Sequence, residues 1–310
     1  MGLMRSSLLY ASQNAWLRRQ APKYGFVRRT VSRFMPGERL EDAMAAAQRL
    51  AARRLRTVFT QLGENITSPA EAALVRDHYL SVLAQVRDAG LPTEISVKLT
   101  QLGLDLGDEL CYVNLKPLAA AAAMHAGAGT LWIDMEGSAY TARTLDLFAR
   151  LHAEHPNAGV CVQAYLYRTR DDVDRLIEMK AAVRLVKGAY KEPAAIAFPR
   201  KRDVDRNYFA LAERLLSAAA RERGVRAAFG THDRELIARI SAHAEQNGVP
   251  HAGLEFQMLY GIQTAEQERL AAEGCDSRVL VAYGAHWYAW FMRRLAERPA
   301  NVWFVVKNLL

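Results

Sequence analysis

Polar side chains recur at one place in this chain, the carboxyl ends of short apolar runs. Lys98 lies in Ser-Val-Lys-Leu-Thr, Asp134 in Trp-Ile-Asp-Met-Glu, Gln163 in Val-Gln-Ala, Arg184 and Lys187 in Arg-Leu-Val-Lys-Gly, and Thr231 and His232 in Gly-Thr-His. A lysine or arginine inside an apolar run is seldom buried unless it is paired or liganded, so Lys98 and Arg184 point to an anion, and Asp134 is their obvious internal partner. Near the end of the chain Arg293 and Arg294 are adjacent, and two neighbouring guanidinium groups repel unless an anion joins them. Residues 287–297 read as helix. Trp290, Arg293, Arg294 and Glu297 then fall at i, i+3, i+4 and i+7 and share a face. Arginine forks match carboxylate geometry, so a carboxylate-bearing ligand is expected there. Lys187-Gly188-Ala189-Tyr190 joins a cation to a small-residue turn, which suits a phosphate resting on backbone N–H groups. Each feature also has a structural reading: arginines paired with Glu297 on a solvated helix, His232 as a hydrogen-bonded strand-end histidine, Gly188 as a turn.

These residues need elements to hold them. After Pro36-Gly37 the sequence alternates β-rich runs with helical stretches rich in Ala, Leu and Arg. The runs are eight: 57–63, 94–100, 130–136, 160–166, 183–190, 226–232, 254–259 and 278–283. Helical spacing is clearest over 70–89, 141–154, 171–180, 208–223 and 234–247. Alternation of this kind predicts a parallel sheet, and eight repeats predict a closed (βα)8 TIM-like barrel of the α/β class with chemistry at the carboxyl ends of its strands. The sixth run is the weakest, because Gly230 interrupts it. Glu255 and Gln257 alternate with apolar neighbours and are expected to face the barrel interior. No Gly-x-Gly-x-x-Gly or Gly-Lys-Ser/Thr turn follows a strand, which argues against a Rossmann or P-loop nucleotide site. The histidines lack ligand-pair spacing, so no metal is expected.

The chain has 310 residues, three cysteines and a net charge of +8. The cysteines, Cys111, Cys161 and Cys275, are far apart and suggest neither a disulfide framework nor a thiolate metal site; a reducing cytoplasm fits. No apolar run approaches the ~18 residues of a spanning helix. Residues 1–37 hold seven basic residues and no Asp or Glu. A basic helical N-terminal arm over 1–45, packed on a catalytic barrel over 46–310, is therefore expected. Anionic lipid is one surface such an arm would meet. A nucleic-acid role is disfavoured, because the arm is remote from the polar strand ends.

Taken in order, Val-Lys-Leu-Thr (97–100), Asp-Met-Glu (134–136), Gln-Ala-Tyr-Leu (163–166), Arg-Leu-Val-Lys-Gly-Ala-Tyr (184–190), Thr-His-Asp (231–233), Glu-Phe-Gln-Met-Leu-Tyr-Gly (255–261) and Arg-Arg-Leu-Ala-Glu (293–297) resemble the bacterial monofunctional proline dehydrogenases. The resemblance spans roughly residues 57–310. It implies a distorted (βα)8 barrel that binds FAD and oxidises L-proline to Δ1-pyrroline-5-carboxylate by hydride transfer from C5 to the flavin N5. Electrons would pass to a membrane quinone, with a peripheral contact at the inner face of the membrane. By the same resemblance Lys98, Arg293 and Arg294 would bind the proline carboxylate, while Asp134 and Arg184 would lie near N5. Gln163, Lys187, Gly188, Ala189, Thr231 and His232 would hold the cofactor, Met135 and Leu259 would form apolar walls, and Glu64 would pair with Arg293 as a gate. Two positions depart from the family pattern. Trp290 stands where relatives usually have Tyr, and Leu280 aligns with a common eighth-strand Tyr, leaving Tyr283 further on. The alternative enzyme class is a Schiff-base aldolase with Lys98 or Lys187 as the amine.

Overall fold

The structure is a computed structural model that describes residues 31–125, 127, 129–288, 291 and 292. Eight strands close into a barrel: β1 Arg56–Gln61, β2 Thr93–Val97, β3 Leu131–Ile133, β4 Ala158–Gln163, β5 Ala182–Val186, β6 Arg226–Gly230, β7 Glu255–Leu259 and β8 Asp276–Tyr283. Each strand runs parallel to the next, and β8 returns to β1 in register from Arg56↔Arg278 to Gln61↔Tyr283. Every expected run is a strand, but the carboxyl ends of the first six are shorter than the sequence suggested, while β7 and β8 end where expected. Lys98, Asp134, Lys187, Thr231 and His232 have left the sheet and stand in the loops just after it. The chain turns there because short 3₁₀ helices begin at Leu99–Leu102 and Ser138–Tyr140, and because Gly188 takes φ +113. Gly230 does not interrupt β6. It is the last residue of that strand, and a Cβ there would lie 2.8 Å from Val186 Cγ1, so glycine makes room for β5.

The barrel is jacketed by helices α1 Leu40–Ala51, α2 Pro69–Asp88, α3 Asp108–Ala123, α4 Thr141–Glu154, α5 Thr169–Glu178, α6 Lys201–Leu215, α7 Ala218–Glu222, α8 Arg234–Gln246 and α9 Thr264–Ala272. Their starts follow from the sequence. Ser68 caps α2 by accepting from the Glu71 N–H, and Pro69 occupies the first turn, where its missing N–H costs nothing. The inner face of α2 buries Tyr79, Val82, Leu83 and Val86, each side chain contributing about 1.5–3 kcal/mol. Tyr79 also ties two strands together: its hydroxyl accepts from the Gln61 N–H and donates to the Ser96 carbonyl. Helix α1 packs on β1 and β8, burying Ala43, Ala46, Ala47 and Leu50.

At the carboxyl mouth, Trp287, Tyr288 and Phe291 cluster with Val31, Met35, Leu62 and Ala282, and the Trp287 indole donates to Glu38. Val31 and Met35 are thus buried in this cluster. Residue 33 crosses the loop after β7 so closely that a Cβ on Gly261, at φ +73, would fall 1.5 Å from the Arg33 carbonyl oxygen.

Below the mouth the interior is ionic. Arg226 pairs with Glu94 at 2.7 Å and Glu255 at 2.7 Å, while Arg278 approaches Glu94 at 3.1 Å and Asp276 at 2.9 Å. Burial alone would raise the Glu94 carboxyl, but the charges of Arg226 and Arg278 outweigh it and hold it below the usual range. Glu255 therefore faces the interior as expected, paired across strands.

Candidate active site

A cavity of about 730 Å³ opens at the carboxyl end of the barrel. Its wall brings together Glu64, Lys98, Asp134, Met135, Gln163, Arg184, Lys187, Gly188, Ala189, Thr231, His232 and Leu259. Residues that the sequence proposed from seven separate strand ends thus line one space. Trp290, Arg293 and Arg294 lie outside the described residues, so the expected Glu64–Arg293 pair does too.

At the centre, Asp134 links two cations. Its Oδ1 accepts from Arg184 Nη1 at 3.0 Å and from the Ser96 hydroxyl at 2.6 Å, and its Oδ2 lies 3.6 Å from Lys98 Nζ. Ser96 Oγ is also 2.9 Å from Arg184 Nη1. The group carries two positive charges and one negative, leaving a net attraction for an anion. Arg184 is buried, and its Nε and Nη2 have no hydrogen-bond partner among the described residues. Buried donors are costly to leave unpaired, so these N–H groups are built to meet something.

Neighbouring groups hold this centre in place. The loop carrying Lys98 is fixed by Glu136, which accepts from the Thr100 N–H at 3.1 Å and the Thr100 hydroxyl at 2.7 Å. Burial pushes the Glu136 carboxyl up. Leu259 N–H donates to His232 Nε2 at 2.9 Å, so the imidazole is neutral on that side and ties the loop after β6 to β7. Lys187 lies 2.5 Å from Asp205 and 2.7 Å from Asp233, and Lys201 joins the same pair of carboxylates. Burial would raise the Asp233 carboxyl, but the Lys187 ammonium beside it, with help from Lys201, brings it down to about 2. Both candidate imine-forming amines are engaged in ion pairs, Lys98 with Asp134 and Lys187 with Asp205 and Asp233. The Cys161 thiol also lines the cavity, and burial pushes it up to about 12, too high for a nucleophile at neutral pH.

Sequence reasoning overlooked Ser96, Cys161, Thr60 and Asp233. Strand alternation could have found two of them: Ser96 precedes Lys98, and Cys161 precedes Gln163, by two residues, which is the same face. Leu280 lines the cavity. Tyr283 does not replace the missing tyrosine, because its hydroxyl turns outward to His78 Nε2 at 2.8 Å. Burial lowers the His78 pKa. Among the described residues, no group of three or more His, Cys, Asp or Glu side chains could hold a metal ion, and no helix is long and apolar enough to cross a membrane.

Comparison with known proteins decides the family, since residues 43–307 match that described as Proline dehydrogenase. The chain belongs to the proline dehydrogenase family. It is 38% identical over 309 residues to Proline dehydrogenase 1 of Bacillus subtilis (strain 168), covering 99% of both chains. It is 36% identical over 283 residues to Proline dehydrogenase of Deinococcus radiodurans, covering 90% of this chain and 89% of that one. Among solved structures, proline utilization A of Bdellovibrio bacteriovorus inactivated by N-propargylglycine shares the fold, with a TM-score of 0.80 at 24% identity over 95% of this chain. Proline utilization A of Bradyrhizobium japonicum, mutant D778Y, gives 0.73 at 29% identity over 90% of this chain. This chain spans 36% and 32% of those two longer chains. Membership makes it an oxidoreductase that oxidises proline, in a family that is generally flavin-dependent.

The cavity fits a flavin. An isoalloxazine edge offers carbonyl and ring-nitrogen acceptors beside an imide N–H. The lining includes Arg184, whose buried Nε and Nη2 are donors without a partner among the described residues, and Gln163 and Gln257, whose buried Oε1 atoms are acceptors in the same state. Gly188 completes the cradle. A Cβ there would lie 2.4 Å from the Tyr165 ring, so only glycine lets this backbone run so close.

Proposed function

We propose that this proline dehydrogenase holds FAD in the barrel-mouth cavity, converts L-proline to Δ1-pyrroline-5-carboxylate and delivers the electrons to a membrane quinone. The observation that carries the reading is the Lys98–Asp134–Arg184 group, in which a buried arginine lining the cavity keeps two N–H groups without a partner among the described residues. FAD would supply the two-electron acceptor for a hydride from proline C5.

The side chains supply position and charge. Lys98, with Arg293 and Arg294, takes the proline carboxylate. Arg184, fixed by Asp134 and Ser96, presents positive charge where the flavin becomes electron-rich. Gln163 bonds the flavin ring. Lys187, Gly188, Ala189, Thr231 and His232 hold the ribityl and phosphate part, and Met135 and Leu259 close the apolar sides. Glu64 and Arg293 form the gate. Binding proline against these groups turns a bimolecular encounter into an oriented one, and no nucleophile is required. The division into a basic arm over 1–45 and a catalytic barrel over 46–310 belongs to the same reading, as does a cytoplasmic location with the arm touching the inner face of the membrane.

An absorbance spectrum of the purified protein from 300 to 550 nm, before and after anaerobic L-proline, tests it. Flavin bands that bleach with proline support the whole proposal. Bound flavin that stays oxidised refutes the substrate, and protein that cannot take up FAD refutes the cofactor.

A further inference from the structure

Trp132 stands at the middle of the barrel, where small residues leave it space. Its neighbours in register are Ser96 on β2 and Gly159 on β4. A Cβ on Gly159 would lie 2.8 Å from the indole, and Ala182, Ala228 and Val58 pack around the ring. Barrel interiors are filled in layers by bulky aliphatic residues, so a tryptophan among glycine and alanines is an unusual way to fill this one.

Two guanidinium groups lie over that ring, Arg184 at 4.5 Å from its centroid and Arg226 at 5.1 Å. Arg226 donates to Thr130, two residues before Trp132, whereas Arg184 donates to Asp134, two residues after it. The indole therefore separates an arginine of the ionic floor from the arginine of the cavity. Its own Nε1–H donates to Glu94 at 2.7 Å, and Glu94 is clamped by Arg226. The ring plane is thus set from below, by a network that reaches the cavity wall through Gln257, whose Nε2 donates to Glu255 at 2.6 Å.

We propose that Trp132 and Ser96 are positioning residues for Arg184. The indole face carries the guanidinium while the Ser96 hydroxyl fixes Nη1, so that Nε and Nη2 stay unengaged among the described residues instead of turning to another partner. The inference rests on the reading of Arg184 as the flavin-side cation. A buried guanidinium has many rotamers and one productive direction, and an aromatic face attracts it without using any of its N–H groups. That distinguishes this support from a second carboxylate, which would occupy Nε or Nη2 and cancel the charge.

The test compares the midpoint potential of the bound flavin, with kcat and KM for proline, in Trp132→Leu, Trp132→Phe, Ser96→Ala and Arg184→Lys proteins. Trp132→Leu is expected to shift the potential to more negative values and lower kcat on the order of 10-fold, with KM within about twofold. Trp132→Phe keeps an aromatic face and should stay near wild type. If the Leu and Phe proteins behave alike, the ring face is not what holds Arg184 and the proposal fails. Should Trp132→Leu not fold, Ser96→Ala decides, since an unchanged potential there overturns the proposal and a smaller negative shift supports it. Arg184→Lys separates the two layers of argument: an unmoved potential in that protein removes Arg184 from the flavin, and this inference with it.

Discussion

Asp134 holds Arg184 by a single oxygen, at 3.0 Å from Nη1, and leaves its other oxygen to Lys98. One carboxylate thereby fixes two cations without neutralising both. Replacing it should be felt in stability and catalysis together.

Asp134→Ala leaves the buried Arg184 without its ion-pair partner. A loss of about 2 kcal/mol in unfolding free energy is expected, below the full range for buried pairs because the Asp134 side chain is 20% exposed. Proline turnover should fall at least about 100-fold. Urea denaturation and steady-state kinetics check both, and wild-type turnover would remove Asp134 from the site.

Gly188→Ala meets two obstacles, φ +113 and the Tyr165 ring 2.4 Å from the new Cβ. FAD affinity should drop about 10-fold or more, read by flavin fluorescence titration. Adding Tyr165→Ala should restore only part of it, since the backbone strain persists; full recovery would mean that crowding alone was at fault.

The Asp233 carboxyl sits at about 2 in the folded protein against an ordinary value of 3.8. Because its folded pKa is depressed, its stabilising contribution is complete above about pH 4 and disappears as pH falls towards 2. Asp233→Asn should therefore flatten the dependence of stability on pH between about 2 and 4, measured by urea midpoints. An unaltered slope would show that Lys187 does not hold this proton off.

Two eighth-strand positions separate cleanly. Tyr283→Phe removes the bond to His78 and should cost about 1 kcal/mol of stability while leaving the KM for proline unchanged. Leu280→Tyr puts a phenol into the cavity and should change KM for proline and the discrimination against hydroxyproline. A KM change in the Tyr283 variant but not in the Leu280 variant would reverse this assignment.

The basic arm is tested by trimming residues 1–30, not 1–37, because Val31, Phe34 and Met35 belong to a packed cluster. The shortened protein should fold normally and bind anionic vesicles less tightly. Equal binding would give the arm a role other than lipid contact.

The eight strands were legible because parallel strands are buried on both faces and read as apolar runs. Lys98 and Arg184 announced the site because cations are out of place in such runs. The strand ends were read too long, since the polar residue that marks a site is also the one at which the backbone leaves the sheet. Ser96 offered only its alternation with Lys98, and Trp132 gave no signal: tryptophan is ordinary in strands, and only the closed barrel brings both residues to Arg184. The ionic floor was equally hidden. Arg226 and Glu94 are 132 positions apart in the chain, and nothing local predicts that pairing.

The crossing of residue 33 over Gly261, and the Trp287 indole bonded to Glu38, bear on how the protein can be cut. The beginning of the described chain and the stretch after β8 brace each other above the entrance, so the smallest fragment expected to keep a shaped doorway starts at or before Val31. A gene trimmed to the span from β1 to β8 would yield a barrel whose rim had lost both of these buttresses.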